Sequence, residues 1–261
     1  MGVRGYVRLA ILLSLFLGFW VFLSLRPGEQ AGAELIVSAA ASLSEPLSAI
    51  TVAFSESHPT VQVILNLAAS GSLARQIERG APVDVAIFAS SHEMDVLELQ
   101  GLIESGTRRD LLTNRLVLVV PARSASALDG WEDLAFVNRL AIALPEVAPL
   151  GQYSQQVLEY LDLWGRVKTR LVMARDAQQV VSMVSTGNVD AAIIYVTSAT
   201  HPGVRVVGEA PPGSHQPPIY PAAVLSSSRR SALAQEFLNF LFEEEAQAIF
   251  RASGFRTPGG L

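Results

Sequence analysis

The sequence predicts an α/β protein of two lobes, each a mostly parallel sheet flanked by helices. Two observations carry this. Short apolar runs alternate along the chain with stretches whose apolar residues recur at helical spacing, the pattern of parallel strands joined by helices. The chain is also long, 261 residues with 50% hydrophobic side chains, and shows no fixed-period repeat or low-complexity linker. It has ample length for one or two cores and is not a repeat array.

The elements follow in order. Leu35-Ile36-Val37 is a short β-type run that ends in Ala39-Ala40-Ala41-Ser42. Leu43, Leu47, Ile50 and Phe54 then keep helical spacing up to Pro59. Val61–Leu65 is a second strand, after which Ser70-Gly71-Ser72 turns into a short helix over Leu73–Arg79. Val83–Phe88 is a third strand and a helix starts at Ser91. Leu116–Val120 and Leu140–Ala143 are strands, the second leading through Gly151 into a helix that ends near Leu161. Val167–Met173 is the next strand. Asp176 caps a helix that reaches Thr186 and stops at Gly187. Ala191–Val196 and Val204–Val207 are further strands. Beyond the Pro-rich stretch Pro211–Pro221, Ala222–Leu225 is the last strand, and a final helix from Ser231 carries Phe237, Phe240, Leu241 and Phe242. If the chain crosses between lobes near 116 and near 221, residues 116–221 form one lobe. Residues 34–115 and 222–261 then join to form the other.

Composition excludes several classes. A net charge of −5 argues against a broadly basic nucleic-acid binder. The absence of cysteine removes disulfides, thiolate metal sites, cysteine nucleophiles and a lipid-modified cysteine anchor. At the N-terminus, Arg4 and Arg8 precede an apolar run from Leu9 to Leu25, and Ala31-Gly32-Ala33 is a small-x-small triplet. This order describes an export signal cleaved after Ala33, or an uncleaved membrane anchor through Leu9–Leu25. Either places the rest of the chain in the periplasm or another extracytoplasmic space. Without residues 1–33, 16 basic and 23 acidic side chains remain, a net of −7.

No phosphate-loop, dinucleotide-binding or nucleophile-elbow motif occurs, and the four histidines are scattered without an i,i+4 pair. His92, Glu93 and Asp95 could be drawn as metal ligands, but a solvated helix start is the simpler reading. Glu243-Glu244-Glu245 likewise reads as a solvated face. Small and hydroxyl residues gather instead at strand-to-helix turns: Ser42, Ser70-Gly71-Ser72, Pro149-Leu150-Gly151 and Asp176-Ala177. A helix N-terminus presents unpaired N–H groups and partial positive charge, and several together hold an anion without lysine or arginine. For any one of these turns plain capping is the simpler reading.

Five segments in order resemble the periplasmic molybdate-binding proteins of ABC-type molybdate importers. They are Ala39–Leu43, Ala69–Ile77 with Gly80–Asp84, Pro145–Tyr153, Ile193-Ile194-Tyr195, and Ala248-Ile249-Phe250 with Gly254-Phe255. The resemblance implies a type II periplasmic binding protein fold, two hinged lobes with the ligand in the cleft. It implies that Ser42 and Ser70 bind a tetrahedral oxyanion from one lobe. From the other lobe, the backbone N–H groups of Leu150 and Ala177 and the hydroxyl of Tyr195 complete the site. By its residues alone, Tyr195 at the end of an apolar strand reads as a core aromatic. Leu150 stands where the family has a small residue, and the segment around Ala177 departs from the family pattern. Arg75 is expected in a structural or inter-lobe pair, since the family site is uncharged.

The resulting expectation is a non-enzymatic, monomeric binding protein for molybdate, and for tungstate with it. It would have a membrane permease as partner, and no cofactor, metal-cation ligand or nucleic acid. Two alternatives stay open: a binding protein for another oxyanion such as sulfate or for a small organic anion, and a membrane-anchored enzyme or sensor domain on the same fold.

Overall fold

The structure is a computed structural model that describes residues 32–124 and 128–258. The candidate export segment Leu9–Leu25 lies outside the described residues. Among the described residues no helix is long and apolar enough to cross a membrane. The chain divides into two compact units, Met1–Ala33 and Glu34–Leu261, and the fold is that of the second.

Its elements run β1 (Ala33–Ala40), a 3-10 turn (Ala41–Leu43), α1 (Ser44–Ser57), β2 (Val61–Ala68), α2 (Ser70–Glu78), β3 (Val85–Ile87), α3 (Ser91–Leu99), β4 (Arg109–Thr113) and β5 (Leu116–Pro121). They continue through β6 (Leu140–Ala143), α4 (Pro149–Tyr160), α5 (Trp164–Val167), β7 (Leu171–Ala174), α6 (Ala177–Ser185), β8 (Ala191–Tyr195), β9 (Val204–Glu209), β10 (Ile219–Val224), α7 (Ser231–Phe240) and α8 (Glu244–Ala252). Every residue of β6 and β8 is buried, as strands covered on both faces require. Helix α1 buries Leu47, Ile50 and Phe54 on one face. Phe54 meets Phe237 edge-on, ring centroids 5.1 Å apart, which ties α1 to α7.

Two five-stranded sheets form, in the orders β2-β1-β3-β10-β4 and β7-β6-β8-β5-β9. The first draws on both ends of the chain, the second on its middle. The chain crosses between them at Asn114-Arg115 and again over 210–218.

The sheets are mixed, which corrects the expectation of mostly parallel ones. β1·β3, β6·β7 and β6·β8 are parallel. β10 runs antiparallel to β3 and β4, and β5 antiparallel to β8 and β9. Parallel pairing needs a crossover connection, usually a helix, between the strands. β5 and β10 each enter their sheet straight from the other lobe, through a linker without one.

Four elements differ from the expectation. β4 escapes the apolar pattern because it opens on Arg109-Asp110 at a sheet edge. Residues 167–170 are helical rather than extended, because the Arg170 guanidinium donates to the carbonyls of Ala135, Val137 and Arg166. β10 starts three residues early, at Ile219, and a register shift between Tyr220 and Pro221 accommodates the proline. The last helix is two helices, with Glu244 and Glu245 in the first turn of α8, where the helix dipole favours acidic side chains.

Candidate functional site

Four chain turns and one strand end meet between the sheets. Past β1, the backbone turns at Ala40 and brings Ser42 into the 3-10 turn. α2 begins at Ser70 after an extended Ala69 that supplies no side-chain cap. α4 begins with Pro149, whose missing N–H costs nothing at a first helical position, and Leu150 follows it. α6 begins at Ala177, and the Asp176 carboxylate accepts from the Gln179 N–H at 2.9 Å. Tyr195 is the last residue of β8.

Ser42, Ser70, Leu150, Ala177 and Tyr195 all line one cavity, with no charged side chain among its lining residues. The cavity is small, about 20 Å³. The space suits one compact ion rather than an extended metabolite. Ser70, Leu150 and Ala177 sit in first helical turns, so their N–H groups have no intrahelical acceptor. A wider groove of about 270 Å³ opens on the other side of Ser42, bordered by Gln178, Thr197 and His201.

The hydroxyls are buried. Ser70 Oγ accepts the Ala89 N–H at 3.0 Å. Ser42 Oγ lies 3.1 Å from the Tyr220 hydroxyl. Tyr195 is 1% exposed, and its hydroxyl has no hydrogen-bond partner. Its ring meets that of Tyr220 edge-on at 6.0 Å. Burial, and then the neighbouring Tyr220 and Tyr153, push the Tyr195 phenol well above its ordinary range. Burial likewise pushes Tyr220 up to about 12. Both therefore remain neutral phenols at physiological pH and keep a proton to donate.

The two lobes are closed on each other. Gly71 N–H donates to the Val147 carbonyl at 3.0 Å, and Tyr153 hydroxyl to the Ala89 carbonyl at 3.2 Å. Gln178 Nε2 donates to the Ala41 carbonyl at 3.2 Å and to Ser44 Oγ at 2.9 Å. Gly71 permits close approach across the cleft, and Gly151 permits it within the second lobe. A Cβ on Gly71 would stand 2.8 Å from Val147 O, and one on Gly151 would stand 2.3 Å from Ala143 O.

The other sequence candidates fall elsewhere. Among the described residues no cluster of His, Asp and Glu could hold a metal ion. Asp95 pairs with Arg108 at 2.5 Å. Glu93 departs from the solvated-face reading: it is 6% exposed and turns into the lobe interface, where Gln152 Nε2 donates to it at 3.3 Å. Arg75 bonds Ser72 within its own helix at 3.4 Å rather than across the lobes. Asp84, in the second resembling segment, is structural: it accepts from Ile36 N–H at 2.8 Å and from Ser228 Oγ at 2.6 Å. Sequence reasoning missed Tyr220, Asn114, Tyr153 and Gln178. Tyr153 closes the third resembling segment without a role assigned to it, and the other three carry no local motif; the crossing of the chain between lobes sets all four behind or beside the residues that line the cavity.

The sequence profile of the family described as bacterial extracellular solute-binding protein matches residues 35–256. The chain is 33% identical to the molybdate-binding protein of Escherichia coli over 229 residues, 85% of this chain and 88% of that one. The periplasmic molybdate-binding protein of Azotobacter vinelandii superposes with a TM-score of 0.77 at 24% identity, covering 86% of this chain and 99% of that one. The sulfate-binding protein of Mycobacterium tuberculosis superposes with a TM-score of 0.76 at 20% identity, covering 87% and 88%. At such identities these two structures speak to the fold.

Proposed function

This chain belongs to the bacterial extracellular solute-binding protein family, and from that premise we propose that it captures molybdate, and tungstate with it, outside the cytoplasm for the membrane permease of an ABC importer. Export through residues 1–33, with or without retention of Leu9–Leu25 as an anchor, is part of the proposal. So is action as a monomer without a cofactor. The name of the 33%-identical relative supports the ligand.

The observation that carries the reading is the Tyr195 hydroxyl. It is buried without a partner at a cavity lined only by neutral groups. An unpaired buried hydroxyl costs about 1–3 kcal/mol, a cost that an anion accepting its proton removes. A dianion entering the cavity loses its water and must be hydrogen-bonded on nearly every oxygen. The hydroxyls of Ser42, Ser70 and Tyr195 and the N–H groups of Leu150 and Ala177 are the donors for this. Hydrogen bonds to a charged partner are worth about 1.5–3 kcal/mol each. Closure brings the donors of the second lobe onto an anion already held by the first. The closed form then differs from the open one in the surface it offers a permease. The acidic body does not oppose capture, because charge is screened beyond about 8 Å at physiological salt.

Thermal unfolding of the full chain with molybdate, tungstate, sulfate and phosphate tests this. A ligand at 100 times its Kd adds about 2.7 kcal/mol of stability. A rise in Tm with molybdate and tungstate alone, abolished in the Ser42→Ala, Ser70→Ala double variant, is expected. A rise with sulfate alone, or with no oxyanion, overturns the reading.

A further inference from the structure

We propose that Tyr220 is a positioning residue that fixes the Ser42 hydroxyl as a donor, so that the cavity prefers oxyanions carrying no proton. The inference rests on the oxyanion reading above and deepens it. Its basis is the direction of a buried chain of hydrogen bonds.

The chain starts at the hinge. Asn114 Oδ1 accepts the Arg115 N–H at 2.8 Å, which settles which end of the amide faces which way. Asn114 Nδ2, a donor only, therefore faces Tyr220 and Thr197. It donates to the Tyr220 hydroxyl oxygen at 3.3 Å and to Thr197 Oγ1 at 3.1 Å. With its oxygen engaged as an acceptor, Tyr220 has one proton to give, and Ser42 Oγ lies 3.1 Å away. Tyr220 is fully buried and Ser42 nearly so, so bulk water does not compete for these groups. Ser42 then receives a proton from behind, and its own proton is free for the cavity.

Ser70 is set the same way by the Ala89 N–H, which can only donate. The Tyr195 hydroxyl makes no hydrogen bond of ordinary length, and Tyr220 is the phenol beside it. The Ser42 and Ser70 hydroxyls are thus each held from behind with the proton turned to the cavity, and Tyr195 brings a third proton to it. Hydrogen phosphate, which carries a proton at neutral pH, would meet donors where it needs an acceptor. A buried polar group left facing its own kind is penalised strongly, and this is how a small site discriminates.

The test is Tyr220→Phe, read by titration calorimetry with molybdate and with phosphate at pH 7, alone and in the Ser42→Ala background. Circular dichroism reports the fold. Loss of the phenol proton lets the Ser42 hydroxyl rotate. Molybdate affinity is expected to fall about tenfold or more, and phosphate binding to become measurable. In the Ser42→Ala background Tyr220→Phe should cost nothing further, because it acts through that serine. Asn114→Ala removes the first donor of the chain and should shift selectivity in the same direction if Tyr220→Phe folds poorly. An equal loss in both backgrounds, or unchanged molybdate affinity and selectivity in Tyr220→Phe and Asn114→Ala, overturns the inference while leaving capture of molybdate intact. Wild-type protein that binds no molybdate overturns both.

Discussion

The two walls of the cavity are built differently. On the first lobe the donors are serine hydroxyls, each held from behind: Ser70 by the Ala89 N–H, Ser42 by the Tyr220 hydroxyl. On the second lobe they are backbone groups at the starts of α4 and α6, plus a phenol with nothing behind it. The first wall is complete before the lobes meet, whereas the second has its unpaired hydroxyl satisfied only once an anion is present. This suits a protein that must catch first and close afterwards. It also separates what a mutation can reach. Side-chain changes act on the serines of the first wall and on Tyr195, and the backbone donors of the second wall tolerate almost any side chain, which is how Leu150 can stand in the place of a smaller residue.

The sharpest way to break the comparison is with its two glycines. A Cβ on Gly151 would meet Ala143 O at 2.3 Å and the Pro145 nitrogen at 2.7 Å, both backbone of the same lobe. Gly151→Ala therefore strains that lobe whether or not the protein is closed. A loss of about 3 kcal/mol or more is expected in denaturant unfolding without ligand. A Cβ on Gly71 would meet the Val147 backbone across the cleft, its oxygen at 2.8 Å. Gly71→Ala should leave the unliganded melting temperature unchanged and remove most of the molybdate-induced rise. If both variants lose stability alike without ligand, the lobes do not move independently.

Next in size is the contrast between a backbone donor and the side chain above it. Asp176 is extended, with φ −153° and ψ 174°, which suits a residue before proline. Ala177 is the first residue of α6, where proline is favoured. Ala177→Pro thus deletes one N–H with the helix kept, and a fall in molybdate affinity of tenfold or more is expected at little cost in stability. Leu150→Ala should do the reverse. It empties a fully buried site and costs about 2–5 kcal/mol of stability. Its N–H survives, so calorimetry on the folded fraction should return the wild-type affinity.

Much of this was legible in the sequence. Ser42, Ser70, Leu150 and Ala177 sit at turns whose chemistry is local, so strand endings and helix starts were enough to pick out the turns, and the resemblance named the residues within them. Tyr195 was legible only through resemblance, because an apolar strand hides a tyrosine that faces a cavity. Tyr220 and Asn114 were not legible at all. They lie 106 residues apart in sequence yet 3.3 Å apart in space, and no pattern along the chain encodes a contact made by two crossings between lobes. β4 failed for a related reason, since an edge strand that pairs on one side can afford charged residues at its start.

Tyr195→Phe sharpens the comparison from the other side, because its two effects have opposite signs. Removing an unpartnered buried hydroxyl should raise the stability of the unliganded chain, while molybdate affinity falls about tenfold. The same change at Tyr220, whose hydroxyl is bonded on both sides, should lower both. The pH dependence follows from burial. An exposed phenol titrates near 10, and Tyr220 is pushed up to about 12. Because the unfolded chain ionises first, this contribution to stability is complete below pH 10 and is lost as pH rises through about 12. Affinity should accordingly stay flat from about pH 7 to 9, since both phenols keep their protons throughout.

The smallest effect belongs to Gln178, which touches no donor of the cavity. Its amide reaches across to the Ala41 carbonyl and to Ser44 Oγ, beside the turn that carries Ser42. Both bonds exist only while the lobes are closed, and both are open enough to solvent to be replaced by water. A neutral hydrogen bond of this kind is worth about 0.5–1.5 kcal/mol net. Gln178→Ala should therefore weaken molybdate binding a few-fold at most. The loss should appear as faster release, since the anion is first met by the serines of the other wall and the bond forms only after closure. A slower association rate with unchanged release in stopped-flow fluorescence would reverse that order, and would mean that the second lobe takes part in the first encounter.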